Sequence, residues 1–281
     1  MSCSYTLSLG VLACALADHP AAPAWAERAT RWLDKWLTDE VGAAGEWLCE
    51  GPHYGYVSLE PMLTYAITAR RAGFHDFSQD PRLKKLILYF AKYNTPRDVQ
   101  RKNLRSIGAY GRGHGGFLAV FGVAAAFYQD SDPELSRTLQ WLWAENGHPL
   151  FMGDSRLGGM EPYFVDRRLP AAAPAWESEL FPQLGALLRA GFNTPTESYV
   201  NLLTATDSLR NLDIWTPGIG GISQWFGRGR PLSTCFTWQV GYHERHELLR
   251  DGVRLARNWG ATEDPKGPFG HYTGTRFGAF A

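Results

Sequence analysis

The sequence predicts an α+β multidomain chain, helical over residues 1–170 and an antiparallel β-sheet over 171–281. Apolar residues recur at three- and four-residue spacing through the first part, which is the helical period. After the Pro/Ala-rich linker "RLPAAAPAW" (168–176), short apolar runs bounded by turn residues take over, as strands do. Successive helices are joined by Gly- and Pro-containing loops with no fixed repeat. That suggests an α/α toroid or solenoid rather than a TPR or ankyrin array.

At the N-terminus, Leu9, Leu12, Ala13 and Leu16 share one helical face. No Lys or Arg precedes this apolar run, so a core helix is expected rather than a signal peptide. In 23–41, Trp25, Ala29, Trp32, Leu33, Trp36, Leu37 and Val41 form an apolar stripe with charged residues between. A third helix is expected over 57–71, from Leu59, Met62, Leu63, Ala66 and Ile67, stopped by Gly73. Pro81 suits a helix start, and Leu83, Leu86, Ile87 and Phe90 continue it over 81–93. Two more helices fit 115–128 and 132–146, the latter opened by the cap and first-turn Pro of "DSDPEL". Strands are expected over 184–191, 198–205, 221–226, 246–257 and 271–279, with hairpins at Asn193–Thr196 and Asp251–Gly252. Ending on a strand leaves an open sheet edge, which predicts a fragment of a longer protein.

Lys+Arg and Asp+Glu are equal at 28 each, so the formal net charge is zero. That argues against a general nucleic-acid partner. No apolar run is long enough to span a membrane. The chain carries 11 Trp, 12 Tyr and 15 Phe; most single aromatics fill cores, but this total favours a surface on which rings stack against sugars. Cys3, Cys14, Cys49 and Cys235 are scattered without metal-type spacing, and nothing requires disulfides.

Four stretches could carry chemistry. In "WLCEGPHYGYVSLEP" (47–61), Glu50, His53, Tyr54 and Tyr56 precede an expected helix whose N-terminus favours anions, and so eases ionisation of a phenol acting as base. A capping Glu50 with tyrosines packed between helices explains the same residues equally well. "NGHPLFMGDSR" (146–156) places Asp154 in a Gly-rich loop that could hold a substrate hydroxyl or form an Asx turn. The stretch 95–116 holds Arg97, Arg101, Lys102, Arg105 and Arg112, with His114 between glycines; a solvated loop is the plain explanation and a carboxylate or sulfate clamp the sharper one. In "YHERHE" (242–247), His243 and His246 fall three apart, which on a strand puts them on opposite faces, so at most one is a metal ligand. No GxSxG, P-loop or dinucleotide fingerprint is present.

Taken together, "GEWLCEGPHYGYVSL" (45–59), "TPRD…LRSIG" (95–108), "HPLFMGDS" (148–155), "WESELFPQLGALLRAGF" (176–192) and "ISQWFGRGRPLS" (222–233) resemble, in order and spacing, the heparinase II/III-like polysaccharide lyases. The resemblance implies an incomplete α/α toroid followed by part of an antiparallel β-sandwich. It also implies β-elimination on an acidic, uronic-acid-containing polysaccharide. Tyr54 matches the family's catalytic tyrosine, His53 and Tyr56 would neighbour it, and Asp154 falls in a cleft-lining "GDS" loop. Trp225 in "ISQWFGRGRPLS" is a candidate for sugar binding, as are Glu50, Arg105, Arg112 and His114, the arginines from their charge alone. No cofactor is required, though His246 could remain from a structural zinc or calcium site in the β portion. The family is periplasmic or secreted.

Three departures stand beside this resemblance. The family's carboxylate-neutralising Asn falls at or before Met1. Its sandwich His is replaced by the Trp215–Pro217 neighbourhood, and an Asp that helps bind zinc in some members gives way to Cys235. Little or no lyase activity is therefore expected from these residues alone. A toroidal glycoside hydrolase using Glu50 and Asp154, or a non-catalytic glycan-binding protein, are the competing expectations.

Overall fold

The structure is a computed structural model that describes residues 2–48, 52–99, 102–105, 119–150, 163–183, 185–203, 221–235, 246–250 and 253–258. Six α-helices are described: α1 (Ser2–Ala15), α2 (Ala22–Asp39), α3 (Pro52–Arg71), α4 (Pro81–Lys92), α5 (Ala119–Tyr128) and α6 (Pro133–Glu145). Seven strands follow: β1 (Glu179–Phe181), β2 (Gly185–Ala190), β3 (Ser198–Leu203), β4 (Gly221–Gly227), β5 (Arg230–Cys235), β6 (His246–Arg250) and β7 (Val253–Asn258).

Local signals set most of the helix ends. Asp80 and Asp132 cap α4 and α6, accepting from the backbone N–H groups of Arg82 at 2.8 Å and Leu135 at 3.1 Å, and each is followed by a first-turn Pro. Gly73, at φ 74°, ends α3 with Phe74 N–H donating back to Ala69 O. Among the described residues no helix is long and apolar enough to cross a membrane.

The helices pack tightly through small residues. On α1 the buried face is Leu7, Gly10 and Ala13. Leu12 and Leu16, expected on the core face, are instead 47% and 45% exposed. Gly10 explains the rotation: a Cβ there would stand 2.4 Å from the Tyr65 ring and 2.5 Å from Ala29 Cβ, so α1 turns its smallest residue to its neighbours. On α2 the buried line is Ala22, Ala26, Ala29, Leu33 and Leu37. Trp32 and Trp36 flank it, stacked with centroids 4.6 Å apart. Trp47 and Trp143 are core residues, at 1% and 0% exposure.

The sheet runs in the order β1-β2-β3-β4-β5-β6-β7, with every neighbouring pair antiparallel. One face of β1–β4 packs on the helices: Phe181, Leu187, Tyr199 and Phe226 join the same buried cluster as Tyr89, Phe90 and Tyr93 of the α4 region. The core therefore runs across the 170/171 boundary. The opposite face exposes Leu180, Leu188 and Trp225. β1 and β5 were not expected, and β3 is described to Leu203. Asp251–Gly252 and 271–279 lie outside the described residues.

Candidate functional site

Two places collect the residues that the sequence singled out. The first is the start of α3. The helix was expected from 57 but begins at Pro52, so His53, Tyr54 and Tyr56 sit within its first turns rather than in a loop ahead of it. Proline fixes φ at a helix-ready value and has no N–H to satisfy, so it suits this first position. Gly55 is buried, and a Cβ there would lie 2.3 Å from the Phe90 ring and 3.0 Å from Trp47. Close packing on α4, which only glycine permits, outweighs its poor helix propensity. Tyr54 thus stands in the first turn, where unpaired backbone N–H groups and the helix dipole favour developing negative charge. The side chains of His53, Tyr54 and Tyr56 lie outside the described set, as does Glu50 altogether.

The second is the junction of helices and sheet, where Arg105 falls. Its side chain is only 1% exposed. Nη2 donates to Glu197 Oε2 at 2.8 Å, Nη1 to Thr95 O at 3.0 Å, and Nε to Glu145 Oε2 at 3.3 Å. Its guanidinium carbon lies 5.3 Å from the Trp141 ring centroid and 4.9 Å from that of Phe192. Arg189 of β2 approaches the same carboxylate: Nη1 donates to Glu197 Oε1, while Nη2 donates to Lys92 O at 2.9 Å and Asn94 O at 2.8 Å. Arg189 therefore caps carbonyls at the end of α4 from the sheet side. Burial lowers the Arg189 pKa, with Tyr199 and Glu197 opposing that shift. Tyr199, which donates to Tyr93 O, has its phenol pushed well up by burial.

Arg105, expected to meet substrate, is instead buried and bonded to Glu197, Glu145 and Thr95, joining helices to sheet. Arg97 is engaged similarly, its Nε 2.8 Å from Glu145 Oε2, though 43% of its side chain is exposed. Trp225 is 43% exposed on the face of β4 turned away from the helices. Arg105 and Trp225 are thus on opposite sides of the sheet and form no common site. Arg112, His114 and Asp154 lie outside the described residues. His246 is placed only by backbone, paired with Cys235 and Asn258. Among the described residues no three His, Cys, Asp or Glu come together, so no donor set for zinc or calcium assembles there. Cys14 is a free, half-buried thiol.

Sequence reading missed Glu197, Arg189 and Glu145. One signal was available. In "GALLRA", Leu187 and Arg189 share strand parity, and an arginine on the apolar face must be paired if it is buried.

No protein-family model matches the sequence, and no curated protein matches it. Solved structures do. A heparinase III gene product superposes with TM-score 0.55 at 12% identity, covering 84% of this chain and 32% of that one. The chain has the fold of part of a heparinase III. Heparan sulfate lyase HepC from Pedobacter heparinus gives TM-score 0.52 at 14% identity, over 84% of this chain and 32% of the other. A further heparinase III gives 0.50 at 11% identity, over 88% and 42%. The chain thus spans 32–42% of the length of these heparinase III and heparan sulfate lyase structures. The chain's own mixed helix-and-sheet content agrees with the α+β class read from the sequence.

Proposed function

We propose that this chain is part of a polysaccharide lyase-like protein acting by β-elimination on a uronic-acid-containing glycan, with Tyr54 as general acid, general base or both. The helices would form an incomplete α/α toroid and the sheet one layer of a β-sandwich, whose exposed Leu180, Leu188 and Trp225 suit burial by a facing layer. The observation that carries the reading is the fold shared with heparan sulfate lyases, together with Tyr54 in the first turn of α3.

In the proposed reaction a base removes the proton at C5 of the uronate. The C5–H electron pair forms the C4=C5 double bond, the C4–O bond breaks, and a proton passes to the leaving oxygen. No water is consumed. The intermediate is enolate-like, so stabilising its charge is the largest demand on the site. A tyrosine in a helix's first turn meets the positive end of the helix dipole, which favours the phenolate needed for proton abstraction. Asp154 and His53 are proposed to support it, and Arg112 and His114 to meet substrate charge. Arg105 is left out because of its buried partners.

The test is product chemistry. The native full-length protein is incubated with heparan sulfate and other uronic-acid glycans, and ultraviolet absorbance of an unsaturated uronide is followed. A rising signal with at least one glycan is expected. Cleavage to products without an unsaturated end would replace this reading with hydrolysis, and binding without cleavage would replace it with a glycan-binding role.

A further inference from the structure

We propose that His148, Trp143 and Arg167 form an acid-sensitive clamp, which loosens the 163–169 segment from α6 when His148 takes up a proton.

Trp143 of α6 is 0% exposed, and two segments meet on its indole. One brings the half-buried His148 ring, which stands at 89° to the indole with centroids 4.6 Å apart. The other brings Arg167, whose guanidinium carbon lies 6.0 Å from the indole centroid. His148 and Arg167 stand on either side of 151–162 in the chain. The clamp therefore joins the two places where the stretch bearing Asp154 meets α6.

Backbone bonds fix the His148 side. His148 holds φ 51° after Gly147 at φ 83°, and its N–H donates to Trp143 O at 3.0 Å. The indole N–H of Trp143 donates in turn to Pro149 O at 2.9 Å. Carbonyls at the end of α6 are thereby satisfied, which anchors the turn. On the other side, Phe164 is buried and Gln140 Nε2 donates to Asp166 O at 3.2 Å. Leu169 N–H donates to Asp166 O at 3.4 Å, and Ala172 N–H to Arg137 O at 3.1 Å. Arg167 itself is exposed, so its side chain can turn to solvent.

Charge makes the clamp sensitive. Glu145, the last residue of α6, takes Arg97 and Arg105, and Asp166 takes Arg168. Arg167 is the charge that bears on His148: burial first, and then Arg167, hold the imidazole below its ordinary 6.5. A neutral imidazole and Arg167 share the indole without conflict. An imidazolium is itself drawn to an indole, and it repels a guanidinium on the same ring. With His148 fixed by backbone, Arg167 is the group that gives way. A lowered pKa sets the sign: the clamp is at full strength above pH 6.5 and weakens as pH falls through the lowered value. Asp166 does not titrate in this range, because bonds from Arg168 hold its carboxyl down at about 2.

The test is hydrogen exchange of the whole chain at about pH 5 and about pH 8, the two ends of histidine's titration range. Mass spectrometry follows peptides containing Leu169 and Ala172, with rates corrected for intrinsic exchange. Wild-type protection should be about two- to fivefold lower at the acid end, the size of one exposed cation–π contact. His148→Asn tolerates the left-handed backbone and takes up no proton, so its protection should be the same at both ends. Arg167→Gln removes the opposing charge, and the His148 ring proton resonance should then titrate at higher pH than in wild type. No acid loss of protection in wild type, or an equal loss in His148→Asn, would overturn the clamp. So would an unmoved His148 titration in Arg167→Gln.

Discussion

The helix–sheet junction and the first turn of α3 both hold residues that the sequence singled out, and they differ in what fixes their backbone and charge. The junction gathers Arg105, Arg189, Glu197 and Glu145, and uses each charge on another part of the protein. The start of α3 carries a tyrosine and a histidine on a turn fixed by Pro52 and Gly55, with the positive helix end beside them. The basic stretch looked like a substrate clamp because its arginines are close in sequence. Their partners are far away: Glu197 lies 92 residues from Arg105. Charges within a basic run can thus be used by the fold, as those of Arg97 and Arg105 are.

The largest expected effect breaks the junction. Glu197→Ala leaves two buried guanidiniums facing each other, and should cost about 3–5 kcal/mol in chemical denaturation. A loss within the range of an exposed ion pair would mean that the cluster is solvated and the two regions are not so different. Alkaline pH probes the buried core more widely. Burial raises Tyr93, Tyr128 and Tyr199 above the ordinary 10.0. Each favours the protonated folded state, so stability is unaffected below pH 10 and falls as pH rises beyond it. The slope approaches about 1.4 kcal/mol per pH unit for each tyrosine. Tyr199→Phe should flatten that fall, and an unchanged slope would contradict the buried placement.

Smaller effects sharpen the contrast in the sheet and helices. Gly229, at φ 75°, turns β4 into β5, and a Cβ would meet Pro195 O at 2.2 Å. Gly229→Ala should therefore lower stability by about 1–3 kcal/mol in the same assay. Asp80→Ala removes the α4 cap and should cost about 1 kcal/mol. Although burial opposes it, bonds from the Arg82 side chain and backbone leave the Asp80 carboxyl below its ordinary value. Its contribution is present above the ordinary carboxylate pKa and is lost as pH falls through the lowered one. The difference between wild type and Asp80→Ala should therefore close at acid pH.

Much of the helical part was legible because its signals are local. Asp80–Pro81, Asp132–Pro133 and Gly73 mark ends by backbone chemistry alone, and the structure honours all three. The α1 face was misjudged because periodicity ranks residues by apolarity, whereas Gly10 wins the interface by being small. The beginning of α3 was hidden by Gly55, a weak helix former whose place is decided by Phe90 and Trp47. In the sheet, β1 is three residues long and β5 contains Pro231, which ordinarily argues against a strand; a register shift between Trp225 and Phe226 accommodates it. Tyr54 was selected by motif order, whereas the Arg105–Glu197–Arg189 cluster joins segments that no local pattern brings together.

The central proposal is that Tyr54 carries the chemistry while the Arg105–Glu197–Arg189 cluster carries the fold. Its most direct test is the rate of unsaturated-uronide formation by the native full-length protein and its Tyr54→Phe variant, on whichever acidic glycan gives a signal. Turnover should fall by at least about a hundredfold on losing the phenol hydroxyl, with the thermal midpoint unchanged. Wild-type turnover from Tyr54→Phe would contradict the account.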